Sequence, residues 1–66
     1  MDRLEELIKS KGVKKKYIAE CLGITPKALT YKLQGKTEFR LNEVADIAHI
    51  LGLTKKEAID IFLPSL

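Results

Sequence analysis

The chain of 66 residues has no tryptophan and only one cysteine, one histidine and one methionine. A lone cysteine, Cys21, closes no internal disulfide, and with His49 as the sole histidine it matches no familiar zinc spacing. No nucleophile–base pair can be assembled, and no carboxylates cluster toward a pocket, so an enzyme is not expected. Neither is a cofactor, a metal or a small-molecule substrate. Cys21 is read as a small residue filling its helix rather than as a nucleophile, and His49 as a surface or boundary residue. Long apolar runs are missing too. None is longer than Ile61-Phe62-Leu63, far short of the roughly 20 residues that cross a bilayer, so no membrane partner is expected. Met1-Asp2-Arg3 opens an amphipathic pattern rather than a signal peptide, which makes the cytoplasm the default location. No stretch has strand periodicity, and there are no repeats or long linkers. A chain of this length makes one domain, 1–66, that buries only roughly 60% of its unfolded surface.

What is present is helical punctuation. Leu4, Leu7 and Ile8 form an apolar stripe over 2–11, with Asp2, Glu5 and Glu6 favouring its start and Gly12 ending it. A second helix is expected over about 15–22 and a third over 26–34, meeting at Leu22-Gly23-Ile24-Thr25. Glycine stops a helix by adopting the left-handed conformation without steric cost. Threonine starts one by accepting from an orphan N–H. Proline loses nothing at the first helical position. Ile18, Leu22, Leu29 and Leu33 give each helix one apolar face, and Ala19 lets the pair approach closely. So tight a turn implies a steep crossing, the helix-turn-helix arrangement. Gly35 ends the third helix, and Phe39 is expected to tuck into the core and fix the loop over 35–40. A fourth helix over 41–51 carries Leu41, Val44, Ile47, Ala48 and Leu51 at spacings of three and four, so it is expected to be the central buried helix. Thr54 and Glu57 make a capping box for a fifth helix from 55 to about 63, stopped by Pro64. Its apolar residues span about 200° of surface, wider than one core-facing stripe. A dimer interface through Ile61, Phe62 and Leu63 is therefore expected.

The net charge of +3 conceals a division. Residues 1–8 and 41–66 each carry net −2, whereas residues 9–40 hold nine basic and two acidic side chains, net +7. The positive charge sits on the helix-turn-helix, the footprint of a polyanionic partner. Lys14, Lys15 and Lys16 crowd the start of the second helix, where the helix dipole already places positive charge. A phosphate there would remove the conflict, because a helix N-terminus presents free N–H groups. The third helix leaves Lys27, Thr30, Tyr31 and Gln34 outward, able to donate, accept and stack against a major groove. Pro26 has no donor and can touch a thymine methyl. Lys36 and Arg40 are placed to flank the groove.

Residues 13–53 resemble the Cro/phage-repressor (XRE-like) family of helix-turn-helix proteins. The resemblance rests on Ile18, Ala19, Leu22, Gly23, Ile24, Thr25, Leu29, Gly35, Lys36, Leu41, Val44, Ile47, Ala48, Leu51 and Gly52, without a gap. It implies an all-α, compact five-helix domain with a lambda-repressor-like DNA-binding fold, usually dimeric on an operator, with the start of the second helix against the DNA backbone. The chain departs from the family in having Lys14 where Ser or Thr is usual and Lys15 where Gln is usual. It also has Lys32 where the family is apolar and Leu33 where it has Glu, which alters how the third helix docks on the core. The resulting expectation is a repressor of Cro type, from a phage or integrated element, that occupies a double-stranded operator. Bases would be read by Pro26, Lys27, Thr30 and Tyr31, and phosphates held by Lys14, Lys15, Lys16, Lys36 and Arg40. The homodimer would form free or only on DNA. The rival expectation is a protein-binding antirepressor on the same fold, working through the apolar C-terminal surface.

Overall fold

The computed structural model describes residues 2–63. It holds five helices: α1 (Asp2–Lys11), α2 (Lys15–Leu22), α3 (Pro26–Leu33), α4 (Leu41–Leu51) and α5 (Lys55–Phe62). No strand occurs among the described residues. α3 is one residue shorter than the sequence pattern predicts, because Gln34 is its cap. The expected stop at Pro64 lies outside the described residues.

The turn between α2 and α3 is built by local hydrogen bonds. Gly23, at φ 70°, donates to the Glu20 carbonyl, and Ile24 donates to that of Ala19 at 3.0 Å. This Schellman pairing satisfies carbonyls that the helix end would otherwise orphan. Thr25 then caps α3, its hydroxyl accepting from the Ala28 amide at 3.1 Å. The residue after the terminating glycine is apolar at three helix ends, and Val13, Ile24 and Leu53 all pack against the core. At the fourth, after Gly35, it is Lys36, which is exposed. That departure turns a cation outward at the end of α3.

The core draws Leu4 and Ile8 from α1, Ile18 and Ala19 from α2, and Leu29 and Leu33 from α3. Phe39 enters from the loop, Ile47 and Leu51 from α4, and Ile61 and Phe62 from α5. α2 packs on both α3 and α4, so the helix-turn-helix is braced from behind by the fourth helix. Phe39 meets Phe62 edge to face, centroids 5.6 Å apart and planes at 86°, a favoured aromatic geometry. The loop that follows α3 is thereby pinned to α5, as expected for Phe39. Leu22 is only half-buried, although it does pack on the core.

Three expectations are corrected. Leu41 is 80% exposed rather than part of the buried stripe; the core at that end is filled by Phe39 and by Glu43 instead. Cys21 is exposed, because it lies roughly 100° around α2 from the stripe of Ile18, Ala19 and Leu22. Ile61 and Phe62, expected on an exposed apolar face, are buried in the core. The wide apolar arc of α5 splits in two: Ala58, Ile61 and Phe62 face inward, while Ile59 and Leu63 face out.

Leu29 is fully buried between the helices. Truncating it to alanine should cost about 2–5 kcal/mol, enough to threaten a domain whose total is of the order of 5–15 kcal/mol. Urea unfolding of Leu29→Ala checks this; a midpoint equal to that of the unsubstituted chain would mean that α3 does not dock through Leu29.

Candidate nucleic-acid interface

On α3, Leu29 and Leu33 face inward, so Pro26, Lys27 and Tyr31 are carried outward. Tyr31 is the centre of the exposed face. The Lys27 ammonium lies 5.8 Å from its ring centroid and the Lys36 ammonium 5.3 Å, both within cation–π range. Lys36 can reach the ring because its amide donates to the Tyr31 carbonyl at 2.9 Å, folding the chain back at Gly35. A base-reading candidate and a phosphate-holding candidate thus share one aromatic support. Thr30 is half-buried and its hydroxyl donates to the Pro26 carbonyl at 3.0 Å. Its proton is therefore already committed, and what it can still offer a base is an acceptor lone pair and a methyl. Gln34 is exposed one turn beyond.

Lys14, Lys15 and Lys16 are all exposed at the start of α2. Lys14 holds the N-cap position and supplies no side-chain acceptor, and no acidic residue stands in the first turn. α3 and α5 have threonine caps, and at α4 the Glu43 carboxylate accepts from the Arg40 amide at 2.7 Å. The α2 terminus combines free N–H groups, a dipole and three ammonium groups, the physical recipe for anion attraction. Arg40 is the N-cap residue of α4 and is exposed. The ion pair found among the described residues is Lys32–Glu43. Lys14, Lys15, Lys16, Lys27 and Lys36 stand in no such pair, whereas the Arg40 charge is felt by Glu43.

That ion pair is the feature that the sequence pattern concealed. Lys32 lies on α3 beside Leu33, and its ammonium sits 3.0 Å from Glu43 Oε1, with side chains only 12% and 7% exposed. It also donates to the Glu38 carbonyl at 2.9 Å and lies 5.8 Å from the centre of the Phe39 ring. Both Lys32 and Leu33 are thus turned toward the body of the protein, and one cation of the basic segment is internal. A signal was available: a lysine at an inward register position asks for an acid, and Glu43 is the acid that a stripe through Val44 and Ile47 brings nearest. Tyr17 was also missed. It is 55% exposed on α2, and the Cys21 side chain one turn along raises its pKa through a hydrogen bond and through charge, with a smaller contribution from desolvation. Its ring stands on the same helix as the lysine cluster, and it was detectable as an aromatic lying off the Ile18–Leu22 stripe.

The Cro/C1-type HTH DNA-binding domain family matches residues 3–62 of the chain, almost all of it, and the chain belongs to that family. No curated protein and no solved structure matches it. No helix among the described residues is long and apolar enough to cross a membrane.

Burial pushes the Glu43 carboxyl toward the neutral form, but the Arg40 amide and the Lys32 ammonium outweigh it and hold its pKa below the ordinary value. A carboxyl whose folded pKa is depressed contributes stability above its unfolded pKa, and loses it as pH falls through the folded value. The window therefore opens below about 4.5. Between about pH 7 and about pH 3 the unsubstituted chain should lose more of its urea midpoint than Glu43→Gln, which has no proton to take up there. Equal losses would show that the pair contributes nothing to stability.

Proposed function

We propose that this member of the Cro/C1-type family is a sequence-specific transcriptional repressor that acts by occupying its operator and blocking polymerase, in the cytoplasm of a bacterial host and of phage or prophage origin. The observation that carries the reading is the α3 face: Tyr31 exposed between the Lys27 and Lys36 ammonium groups, on a helix that meets α2 at a three-residue turn. Such a helix fits a major groove, where side chains meet base edges, while cations on flanking elements hold the phosphates. Pro26, Lys27, Thr30 and Tyr31 are assigned to the bases. Pro26 and the Thr30 methyl would touch thymine methyls, and Lys27 would donate to guanine. Lys14, Lys15, Lys16, Lys36 and Arg40 are assigned to phosphates, with Tyr17 a further candidate beside them. Neutralising phosphates releases counterions, so affinity should fall steeply with salt.

The two assignments predict different kinds of loss. Lys15→Ala should weaken binding to all duplexes alike and reduce the salt slope by about one. Tyr31→Ala should cost roughly 1–3 kcal/mol on the selected operator and much less on random DNA. Affinities for both duplexes at several salt concentrations decide between them. Equal loss for Tyr31→Ala on both would remove it from base reading. No effect of either substitution would favour the antirepressor reading, with its work done by the apolar surface around Ile59 and Leu63.

With Ile61 and Phe62 enclosed in the core, Leu63, 61% exposed, and Ile59 are what the expected dimer surface still offers, and a homodimer would form through them. Two copies would then meet operator half-sites one DNA turn, about 34 Å, apart. Sedimentation of the protein with and without a palindromic operator duplex should give two protomers per duplex, and Leu63→Glu should reduce this to one. One protomer per duplex for the unsubstituted chain at every concentration would contradict the dimer.

A further inference from the structure

Lys32 is the one basic residue of the α3 region that points into the protein, and what it binds has consequences beyond the core. Its ammonium has three donors. One goes to the Glu38 carbonyl at 2.9 Å and one to Glu43 Oε1 at 3.0 Å. The same Glu43 oxygen accepts the Arg40 amide at 2.7 Å. A single lysine near the end of α3 thus fastens two points of the connecting segment over 34–40 and the first turn of α4. The segment has no regular structure after its opening turn. Its beginning is held by the Gly35 and Lys36 amides bonding back to α3, and its end by Phe39 in the core. Lys32 supplies the tie between them. The segment carries Lys36 and Arg40, and Lys36 in turn supports Tyr31.

We propose that Lys32 and Glu43 are positioning residues for DNA recognition: they fix the rotation of α3 and the path of the 34–40 segment, and so set base specificity without touching DNA. This rests on the DNA-reading function proposed above. An apolar residue in place of Lys32 would pack against α4 through contacts that tolerate sliding and rotation. A lysine holding two oxygens at hydrogen-bond distance tolerates less, because a slide or rotation of α3 would carry its ammonium out of reach of one of them. Burying the pair also costs solvation that the attraction largely offsets, so such pairs contribute little net stability compared with a well-packed apolar pair. Orientation is the benefit that the ion pair supplies and an apolar pair does not. A constellation held to within a fraction of an ångström by supporting side chains is what base reading requires.

The test compares the unsubstituted chain with Lys32→Met/Glu43→Met, which removes both charges at similar volume and leaves the net charge unchanged. Three readouts are taken: the duplex recovered by selection from a random pool, affinity for that duplex and for random DNA at several salt concentrations, and amide hydrogen exchange at Gly35 and Lys36. The double variant should lose about tenfold of its preference for the selected duplex, the discrimination carried by roughly one well-made base contact. Its salt slope should be unchanged, and exchange at Gly35 and Lys36, whose amides bond back to α3, should quicken. Glu43→Gln keeps an acceptor oxygen but not the charge; it should lose part of the preference, and it serves for all three readouts if the double variant unfolds. A slope lower by about one, with equal loss on both duplexes, would make Lys32 a phosphate contact and overturn the proposal. Unchanged preference together with unchanged exchange would also overturn it. Should the unsubstituted chain select no duplex at all, the DNA-reading function fails, and specificity with it; quickened exchange would then leave Lys32 and Glu43 as a segment-ordering pair alone, and unchanged exchange would remove even that.

Discussion

The inward ion pair between Lys32 and Glu43 is the contact on which the geometry of the outward face depends. A domain of this size has a core of few side chains, and α3 contributes only Leu29 and Leu33 to it. Two leucines on an eight-residue helix hold it against its neighbours but leave its rotation loosely specified. The lysine between them and the loop adds direction. Through Glu38 and Glu43 it joins the end of α3 to the start of α4, and Phe39 seals the same junction against Phe62. This junction adjoins Lys36, which the reversal at Gly35 places over Tyr31. Inward charge and outward charge on this helix therefore do different work, although composition counts them alike.

Much of the fold was legible in the sequence, because it is written in short-range chemistry. Gly23 followed by Thr25 and Pro26 specifies a stop, a cap and a start by local hydrogen bonds alone, and the bonds are present. Thr54 and Glu57 cap α5 reciprocally as their spacing requires. What was not legible depends on which of two apolar residues reaches the core first. Leu41 fits the stripe of α4 by spacing, yet Phe39, two residues earlier and larger, lies in the core while Leu41 stands outside. Ile61 and Phe62 were assigned outward by counting the apolar arc of α5. A helical wheel gives the width of an arc but not where its neighbours cut it. Of the candidate site, the outward direction of Lys27 and Tyr31 followed from Leu29 and Leu33. The shared support of Tyr31 by two lysines did not, because Lys36 reaches it only through the reversal at Gly35.

The charge distribution gains meaning from this geometry. Along the sequence, acidic ends flank a basic segment over 9–40 that contains α2 and α3. Long-range attraction would orient the basic side toward a polyanion before any contact forms. The uncapped start of α2 sharpens that attraction at one point, where free N–H groups and lysines coincide. Such a terminus is mildly unfavourable in isolation, and a bound phosphate would relieve it. The chain thus gives up a little stability at the α2 terminus and retains charge suited to phosphate, while the one buried lysine is neutralised and removed from that role.

The central claim is that the α2–α3 face meets DNA, with α3 toward the bases. Nuclear magnetic resonance titration of the uniformly labelled protein with a selected duplex tests it most directly, residue by residue. Amide shifts should concentrate at residues 14–17, 27–31, 34–36 and 40, with little change along the inner face of α1 and at Ala58 and Phe62. Shifts concentrated instead around Leu41, Ile59 and Leu63, with α3 unmoved, would contradict it.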